Sequence, residues 1–442
     1  MLGVFVHGNH ETMTDHTNFN PAQKRQLFQF CLYGWLRSLQ FFEPFLILIL
    51  RDKGFSFAAI GGLVAFRAIC VNVLEIPSGA MADTWGRRRT MVASMLAYMA
   101  SFIIFSVAGA YWMFFPAMFF FSIGEAFRTG THKAIIFHWL TREGRKDEKA
   151  RVYGLTRSWS KQGSAINCII AAVVVISTRD YRWVFLMTLV PFFVNLINIW
   201  HYPKYLDGEM EGKQKKRVSE TLANGLRLAF KKRELRNLIM ENLCFEGCFA
   251  VTKDFLQPTL KAIAISMPVL LAWSGEVRTA ILVAVVYMIL NQFSSIASRQ
   301  SHKAVVAAGN EARLARLLWF VGFGLYLLMG VGFVLGIGAV SVAGFVFLAL
   351  AFNIWKPVLV SRFYDQADQD SAATTLSIAN QGKTLSVAIL APLLGYAVDW
   401  AAKKGGGGSI QLNALWPVAA AGCVAAIFGL VLNMRGTREV TS

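Results

Sequence analysis

The sequence predicts an all-α integral membrane protein with twelve transmembrane helices in two pseudo-symmetric bundles of six. Of the 442 residues, 55% are hydrophobic and only 16% are charged, and the mean hydropathy is +0.47. A soluble chain carries about 25% charged residues. The apolar residues form blocks of about 20, which suits helices across a bilayer core of about 30 Å and is too long for barrel strands. A polar, basic segment, residues 202–236, divides these blocks into two equal sets.

The apolar blocks define twelve spans, numbered here in chain order. We predict them at residues 27–50, 58–81, 90–110, 112–139, 151–177, 181–201, 237–262, 277–299, 315–335, 338–361, 374–400 and 413–433. Two sets of six spans are the layout of a transporter built from two repeats. The predicted domains are a tail (1–26), an amino-terminal bundle (27–201), a linker (202–236), a carboxy-terminal bundle (237–433) and a second tail (434–442). Within the linker, the helical apolar spacing of residues 218–230 predicts an amphipathic helix on the membrane surface.

The distribution of lysine and arginine predicts the orientation. If the first tail is cytoplasmic, most of the 44 basic residues lie in cytoplasmic segments, as the positive-inside rule requires. We therefore expect a multi-pass protein of the bacterial inner membrane, with both termini in the cytoplasm. The net charge of +18 then serves topology and contact with anionic lipids, and not nucleic acid, because no folded soluble module carries a basic stripe.

No cofactor or metal is expected, and the chain is expected to be a monomer. Cys244 and Cys248 share a helix face, but no histidine stands near them to complete a metal site. Nucleophile–base sets are also missing, which argues against an enzyme. A transporter fold that serves as a receptor remains an alternative.

The connection between spans 2 and 3 carries the most specific motif. It reads Gly79-Ala-Met-Ala-Asp83-Thr-Trp-Gly86-Arg87-Arg88-Arg89. This resembles the G-x-x-x-D-x-x-G-R-[RK]-[RK] loop of the major facilitator superfamily, in the same place between two spans. The preceding Glu75-Ile-Pro-Ser-Gly79 resembles a subgroup of that family with an E-I-P-[ST]-G motif in helix 2.

The resemblance implies a twelve-helix transporter that works by alternating access. It also implies a gating latch formed by Gly79, Asp83, Gly86, Arg87 and Arg88, in which Asp83 contacts the start of span 11 near residues 371–375. From the residues alone, Asp83 can accept a charge-assisted hydrogen bond or cap a helix, and the arginines can simply enforce topology.

Charged side chains inside the spans indicate the substrate, because a charge in the membrane is costly. The basic ones cluster in the halves of spans 4, 5, 10 and 11 that we expect to be cytoplasmic, so a cavity lined by them would attract an anion. The alternative is that they snorkel to headgroups or pair internally, as Glu125 with Arg128. The candidate substrate-binding residues are Arg128, His132, Arg157, Lys161, Asn353, Lys356, Gln381 and Lys383.

Proton coupling needs an acid whose pKa burial and neighbours can move into the working range. The candidates are Glu43, Glu125, Glu246 and Asp254. The predicted function is proton-coupled uptake of an anionic or amphiphilic small molecule, such as an organic acid, a phosphate ester or a siderophore-like compound. Proton-coupled efflux of drugs or metabolites is the alternative, although span 5, at residues 159–167, lacks the G-P-x-x-G-G motif of antiporters in this family.

Overall fold

The computed structural model describes residues 19–207, 233–266, 272–366, 372–404 and 411–438. The predicted linker helix at 218–230 lies outside the described residues, as do most of the first tail and the end of the second. In the described part of the chain, every regular element is helical. The predicted all-α membrane fold is confirmed by this architecture.

Sixteen α-helices form the described structure. In the amino-terminal half they are α1 (Pro21–Arg37), α2 (Leu46–Asp52), α3 (Phe57–Trp85), α4 (Arg87–Val107), α5 (Phe114–Arg128), α6 (Thr131–Arg142), α7 (Lys149–Thr178) and α8 (Arg182–Trp200). In the carboxy-terminal half they are α9 (Arg233–Asn242), α10 (Cys248–Thr252), α11 (Leu256–Ser266), α12 (Gly275–Ala308), α13 (Glu311–Val334), α14 (Gly338–Gln366), α15 (Ala372–Lys404) and α16 (Trp416–Arg438).

Nine spans in the described residues contain a continuous helix that is long and apolar enough to cross a membrane: spans 2, 3, 5, 6 and 8–12. Spans 1, 4 and 7 are each divided into shorter helices, although their sequences read as single apolar blocks. Large apolar side chains cover the outside of the bundle; Val73, Leu393 and Val424 are 61–68% exposed. An apolar surface of this extent suits a lipid environment and not water.

The two halves repeat the same packing scheme. In the first half, span 3 packs on spans 4 and 6, and span 2 packs on span 4. In the second half, span 9 packs on spans 10 and 12, and span 8 packs on span 10. Each pair in one half therefore corresponds to the pair six spans later in the other, as expected for a transporter built from repeats.

The halves meet through spans 2 and 11 and through spans 5 and 8. The end of the bundle that carries the Trp85–Arg87 connection is called the motif face here. At the opposite face, Gly61 packs against the backbone of Ala391, and Gly395 packs against the backbone of Phe57. A side chain at either glycine would collide with the other half, so these glycines permit close contact between spans 2 and 11.

Polar contacts also close the opposite face. Asp399 of span 11 accepts hydrogen bonds from the backbone N–H groups of Phe57 (3.0 Å) and Ala58 (2.7 Å), at the start of span 2. Gln257 of span 7 accepts a bond from the Ile47 N–H (2.8 Å) and donates one to the Glu43 carbonyl (3.0 Å) in span 1. The two halves are therefore joined at this face by backbone groups that helix starts and breaks leave free.

Candidate functional site

A central cavity with two lobes lies between the halves. One lobe, the span-5 lobe, is lined mainly by spans 5, 7, 8 and 10. Its volume is about 1260 Å³, which includes the part that is open to solvent. The other, the span-2 lobe, is lined by spans 1, 2, 4, 7 and 11 and encloses about 1290 Å³ on the same measure. Glu43, Lys253, Asp254 and Gln257 line both lobes, and we call these four residues the joint.

The cavity lies deep in the membrane. Lys161 lies about 18 Å along α7, a helix about 45 Å long, at a rise of 1.5 Å per residue. Charges at this depth are costly unless they face a polar cavity, which is the case for Arg157 and Lys161 in the span-5 lobe.

The helix breaks of spans 1, 4 and 7 position the charged groups. Span 1 changes to a 3₁₀ turn at Glu43–Phe45, where Pro44 cannot continue the hydrogen-bond ladder. Span 4 breaks at Thr129–Gly130, and Gly130 has φ +84°. Span 7 contains a π-helix at Leu243–Gly247 and a 3₁₀ turn at Lys253–Phe255. Local irregularities of this kind are frequent at functional sites.

In the first half, Glu125 is held between two arginines. Its carboxylate lies 2.5 Å from Arg37 Nη2 of span 1 and 2.8 Å from Arg128 Nη2. The Tyr98 hydroxyl donates to the same carboxylate at 2.5 Å. The predicted substrate-binding Arg128 is therefore paired with the predicted proton carrier Glu125, and Arg37, which we did not select, joins them.

His132 lies behind this cluster and not among the residues that line the lobes. Its ring stacks on that of Tyr33, with 3.8 Å between the centroids, and Phe30 meets it edge-on. The buried Nε2 atom has no hydrogen-bond partner among the described residues. The structure therefore places His132 in the aromatic packing of the first half.

In the second half, Glu246 is held between two lysines. Its carboxylate lies 3.2 Å from Lys383 Nζ and 3.6 Å from Lys356 Nζ, and its side chain is 3% exposed. The π-helix of span 7 carries this acid, while the lysines come from spans 11 and 10. Each half therefore holds one acid between two cations, part-buried in the first half and fully buried in the second. The clusters correspond in part, since spans 1 and 4 of the first are equivalent to spans 7 and 10 of the second, while Lys383 of span 11 has no counterpart in the first.

Four further cations at the cavity have no acid within ion-pair distance among the described residues: Arg67, Arg157, Lys161 and Lys253. Arg67 stacks its guanidinium over the Phe121 ring, 5.6 Å from the centroid. The predicted proton carriers Glu43 and Asp254 likewise have no ion-pair partner in the described part of the chain. These six charged groups are the ones free to respond to a solute or a proton.

Of the predicted substrate-binding residues, Asn353 lines the cavity with its side chain, whereas Gln381 does not. Asn353 lines the span-5 lobe, where its amide donates to the Ala349 carbonyl at 2.7 Å. Gln381 uses its backbone carbonyl, which accepts a bond from Asn72 Nδ2 at 3.3 Å, and its side chain is not among those that line a lobe.

The residues that we did not select are Arg37, Arg67, Lys253 and Gln257. Three of them are charges inside spans, so their residue type alone was a usable signal. The sequence does not show which charges inside a span face the cavity. For Gln257 no local signal exists, because its role depends on the break in span 1.

The predicted latch is described only in part. The side chain of Asp83 and the side chains at the start of span 11 lie outside the described residues. Gly86 has φ +95°, and a Cβ there would lie 2.8 Å from a carboxylate oxygen of Asp207, after span 6. That carboxylate accepts a bond from the Arg88 N–H (2.9 Å) and lies 3.6 Å from its Nε. Gly86 and Arg88 thus fix the loop to the end of span 6, within the first half.

Comparison with known families decides the classification. The sequence profile of the Major Facilitator Superfamily matches residues 27–392, which is most of the chain. The chain belongs to the major facilitator superfamily. Membership agrees with the twelve-span fold and with the match in the loop between spans 2 and 3. The narrower resemblance of Glu75–Gly79 to one subgroup stays a prediction.

Several solved structures of this superfamily share the fold. A variant of the nucleoside transporter NupG superposes with a TM-score of 0.76 at 12% identity, over 92% of this chain and 99% of that chain. A bacterial homologue of the human lysosomal transporter Spinster, in an inward-facing, occupied conformation, gives 0.73 at 13% identity, over 95% and 98%. A D-xylose–proton symporter gives 0.69 at 13% identity, over 92% and 97%. No curated protein sequence gives a significant match.

Identities this low establish the architecture and leave the substrate open. The superfamily assignment makes the chain a multi-pass membrane transporter and not an enzyme, as the sequence predicts. A secondary transporter binds small molecules in the cavity between its two halves.

Proposed function

We propose that this major facilitator protein takes up an anionic organic solute together with protons, by alternating access through the central cavity. The motif face lies in the cytoplasm and the membrane is a bacterial inner membrane. The single observation that carries the proposal is the charge of the cavity. Its solute-facing cations outnumber the acids that could neutralise them.

The count covers groups that line the cavity and those paired with them. The described residues supply eight cations and four acids: Arg37, Arg67, Arg128, Arg157, Lys161, Lys253, Lys356 and Lys383 against Glu43, Glu125, Glu246 and Asp254. Low-dielectric walls focus this excess of positive charge and raise the local concentration of anions. Arginine and lysine can then bind carboxylate or phosphate through charge-assisted hydrogen bonds.

Proton coupling is assigned to the joint. Glu125 and Glu246 are each neutralised by two cations, so protonation of either would leave those cations uncompensated. Glu43 and Asp254 have no such partners in the part of the chain that the structure describes, and both line the two lobes. They can therefore accept a proton at a smaller cost in lost ion pairs. Release of the proton then restores negative charge beside the bound anion and favours its departure.

The orientation follows from the basic loops. The connections on the motif face include three consecutive arginines, Arg87 to Arg89, and the cluster from Arg142 to Arg151. Loops of this kind stay on the cytoplasmic side during insertion. Uptake, not efflux, is proposed because span 5 lacks the proline motif of antiporters in this family.

Transport by the purified protein in proteoliposomes tests the proposal. Organic acids and phosphate esters would be offered with an inward proton gradient, each beside its uncharged methyl ester or amide. We expect uptake of the acid, loss of uptake when the gradient is collapsed, and no uptake of the neutral compound. Equal uptake of acids and neutral analogues would contradict the anion assignment.

The proton assignment has its own test. Glu43→Gln or Asp254→Asn should uncouple transport, so that counterflow without a gradient continues while gradient-driven accumulation is lost. Glu276→Gln, in the exposed first turn of span 8, is the matched control and should accumulate solute normally. Normal accumulation by both the Glu43→Gln and the Asp254→Asn protein would contradict the assignment of the proton site to the joint.

A further inference from the structure

The charges of the cavity are arranged in three zones. The span-5 lobe holds Arg157 and Lys161, neither of which has an acidic partner among the described residues. The span-2 lobe holds Arg67, which contacts the Phe121 ring but no carboxylate in the described part of the chain. Each lobe therefore carries at least one free cation, contributed by span 5 in one lobe and by span 2 in the other.

The joint between the lobes has the opposite balance. It contains two carboxylates, Glu43 and Asp254, and one ammonium, Lys253. The joint is continuous with both lobes, since its four residues line each of them. A compact dianion placed at the joint would meet these carboxylates, and like charges at close range repel.

The remaining cations reinforce the division. Lys356 faces the span-5 lobe and Lys383 faces the span-2 lobe, although both are bound to the same buried Glu246. One acid thus holds a lysine at the edge of each lobe. Among the described residues, every acid that lines a lobe either belongs to the joint or is already paired with cations.

We propose that the solute carries two separated anionic groups joined by an uncharged middle, and that each lobe binds one of them. This inference rests on the proposed function and names its substrate class. One carboxylate or phosphate pairs with Arg157 and Lys161, and the other pairs with Arg67. The uncharged middle lies at the joint, where a protonated Glu43 or Asp254 can donate a hydrogen bond to it. Coupling then follows, because the solute is accommodated best when a proton is present at the joint.

A homologous series of probes tests the arrangement on the full-length protein in detergent. The α,ω-dicarboxylates from malonate to dodecanedioate would be compared with their monomethyl esters, through the concentration dependence of thermal unfolding. We expect an extended diacid to bind about ten-fold or more tightly than its monoester, since a second charge-assisted contact is gained. Malonate should bind no better than a monoester, because its carboxylates cannot reach both lobes.

Variants assign the lobes. The Arg157→Gln/Lys161→Gln protein should bind the best diacid only as well as the wild type binds the monoester. Arg67→Gln, which removes the free cation of the span-2 lobe, should weaken binding of the diacid to the same level. In either variant the monoester keeps one lobe and should still bind. Lys303→Gln, exposed on span 8 near the motif face, is the matched control and should retain the preference for the diacid.

The outcomes separate this inference from the proposed function. If wild-type protein binds monoesters as tightly as diacids of every length, the two-lobe inference is overturned while an anion transporter remains. If the neutral diesters stabilise the protein as much as the acids do, the proposed function fails as well. The comparison on wild-type protein decides both points even where a variant does not fold.

Discussion

Replacement of Asp399 by asparagine should shift the protein toward the state that is open at the opposite face. Asp399 of span 11 accepts two backbone hydrogen bonds, from Phe57 and Ala58, at the start of span 2. The contact joins the two halves, and it can form only while this face is closed. Any conformation that separates spans 2 and 11 here must give it up.

The magnitude follows from the two bonds. A carboxylate at a helix N-terminus contributes about 0.3–1 kcal/mol when exposed and up to about 2 kcal/mol in partly buried geometry. The contact is partly buried, and asparagine keeps one acceptor oxygen but loses the charge. We therefore expect a loss of about 1 kcal/mol, which is about a five-fold change in the equilibrium between the closed and open states.

Hydrogen exchange at Ile47 reports this equilibrium at a different pair of spans. The Ile47 N–H is bonded to Gln257 across the halves, so it exchanges only when the face opens. In Asp399→Asn its exchange should accelerate about five-fold. Asp180→Asn is the matched control, because Asp180 bonds the Arg182 N–H within one half. Unchanged exchange at Ile47 would refute the reasoning, since Asp399 would then stabilise only its own surroundings.

Two further predictions concern stability. Glu246→Gln should lower the free energy of unfolding by about 3 kcal/mol, because it leaves Lys356 and Lys383 without their buried acid. In thermal denaturation, the double variant Glu246→Gln/Lys383→Met should recover part of this loss. A loss below about 0.5 kcal/mol would mean that the pair is not formed. Gly86→Ala should lower the free energy of unfolding by about 1–3 kcal/mol, because alanine is strained at this positive φ and its Cβ would collide with Asp207. Adding Asp207→Ala to that variant should relieve only the collision, so full recovery of stability would contradict the part assigned to φ.

The architecture could be predicted because it depends on the length of the apolar blocks in the sequence. A bilayer imposes a minimum length on every apolar helix, so the number of spans, their approximate ends and the division into two halves follow from hydropathy. The superfamily was predictable because the loop from Gly79 to Arg89 combines fixed glycines with an acid and arginines. These features are local, and no contact between distant residues is needed to see them.

The breaks in spans 1, 4 and 7 could not be predicted in the same way. Pro44 lies at the break in span 1, but Pro77, Pro191, Pro357 and Pro392 lie inside helices that continue. Proline in a membrane helix is tolerated where neighbouring spans satisfy the freed backbone. Whether a helix breaks therefore depends on tertiary partners.

The pairing of the charges depends on tertiary structure too. Arg37 and Glu125 are separated by 88 residues and meet only after spans 1 and 4 pack together. The sequence shows that both charges lie in spans, but not that one neutralises the other. It is this pairing that separates Lys161, which faces the cavity without an acidic partner in the described residues, from Arg128, which is bound to an acid.

Uptake by the Lys161→Gln protein tests the anion-transport account most directly. Proteoliposomes containing this variant would be compared with wild type and with Lys303→Gln, using the organic acid that the wild type transports best. The account predicts that Lys161→Gln lowers uptake about ten-fold or more at equal protein content, because a cation of the span-5 lobe is lost, while Lys303→Gln transports normally. Normal uptake by Lys161→Gln would contradict the claim that the basic cavity carries the solute.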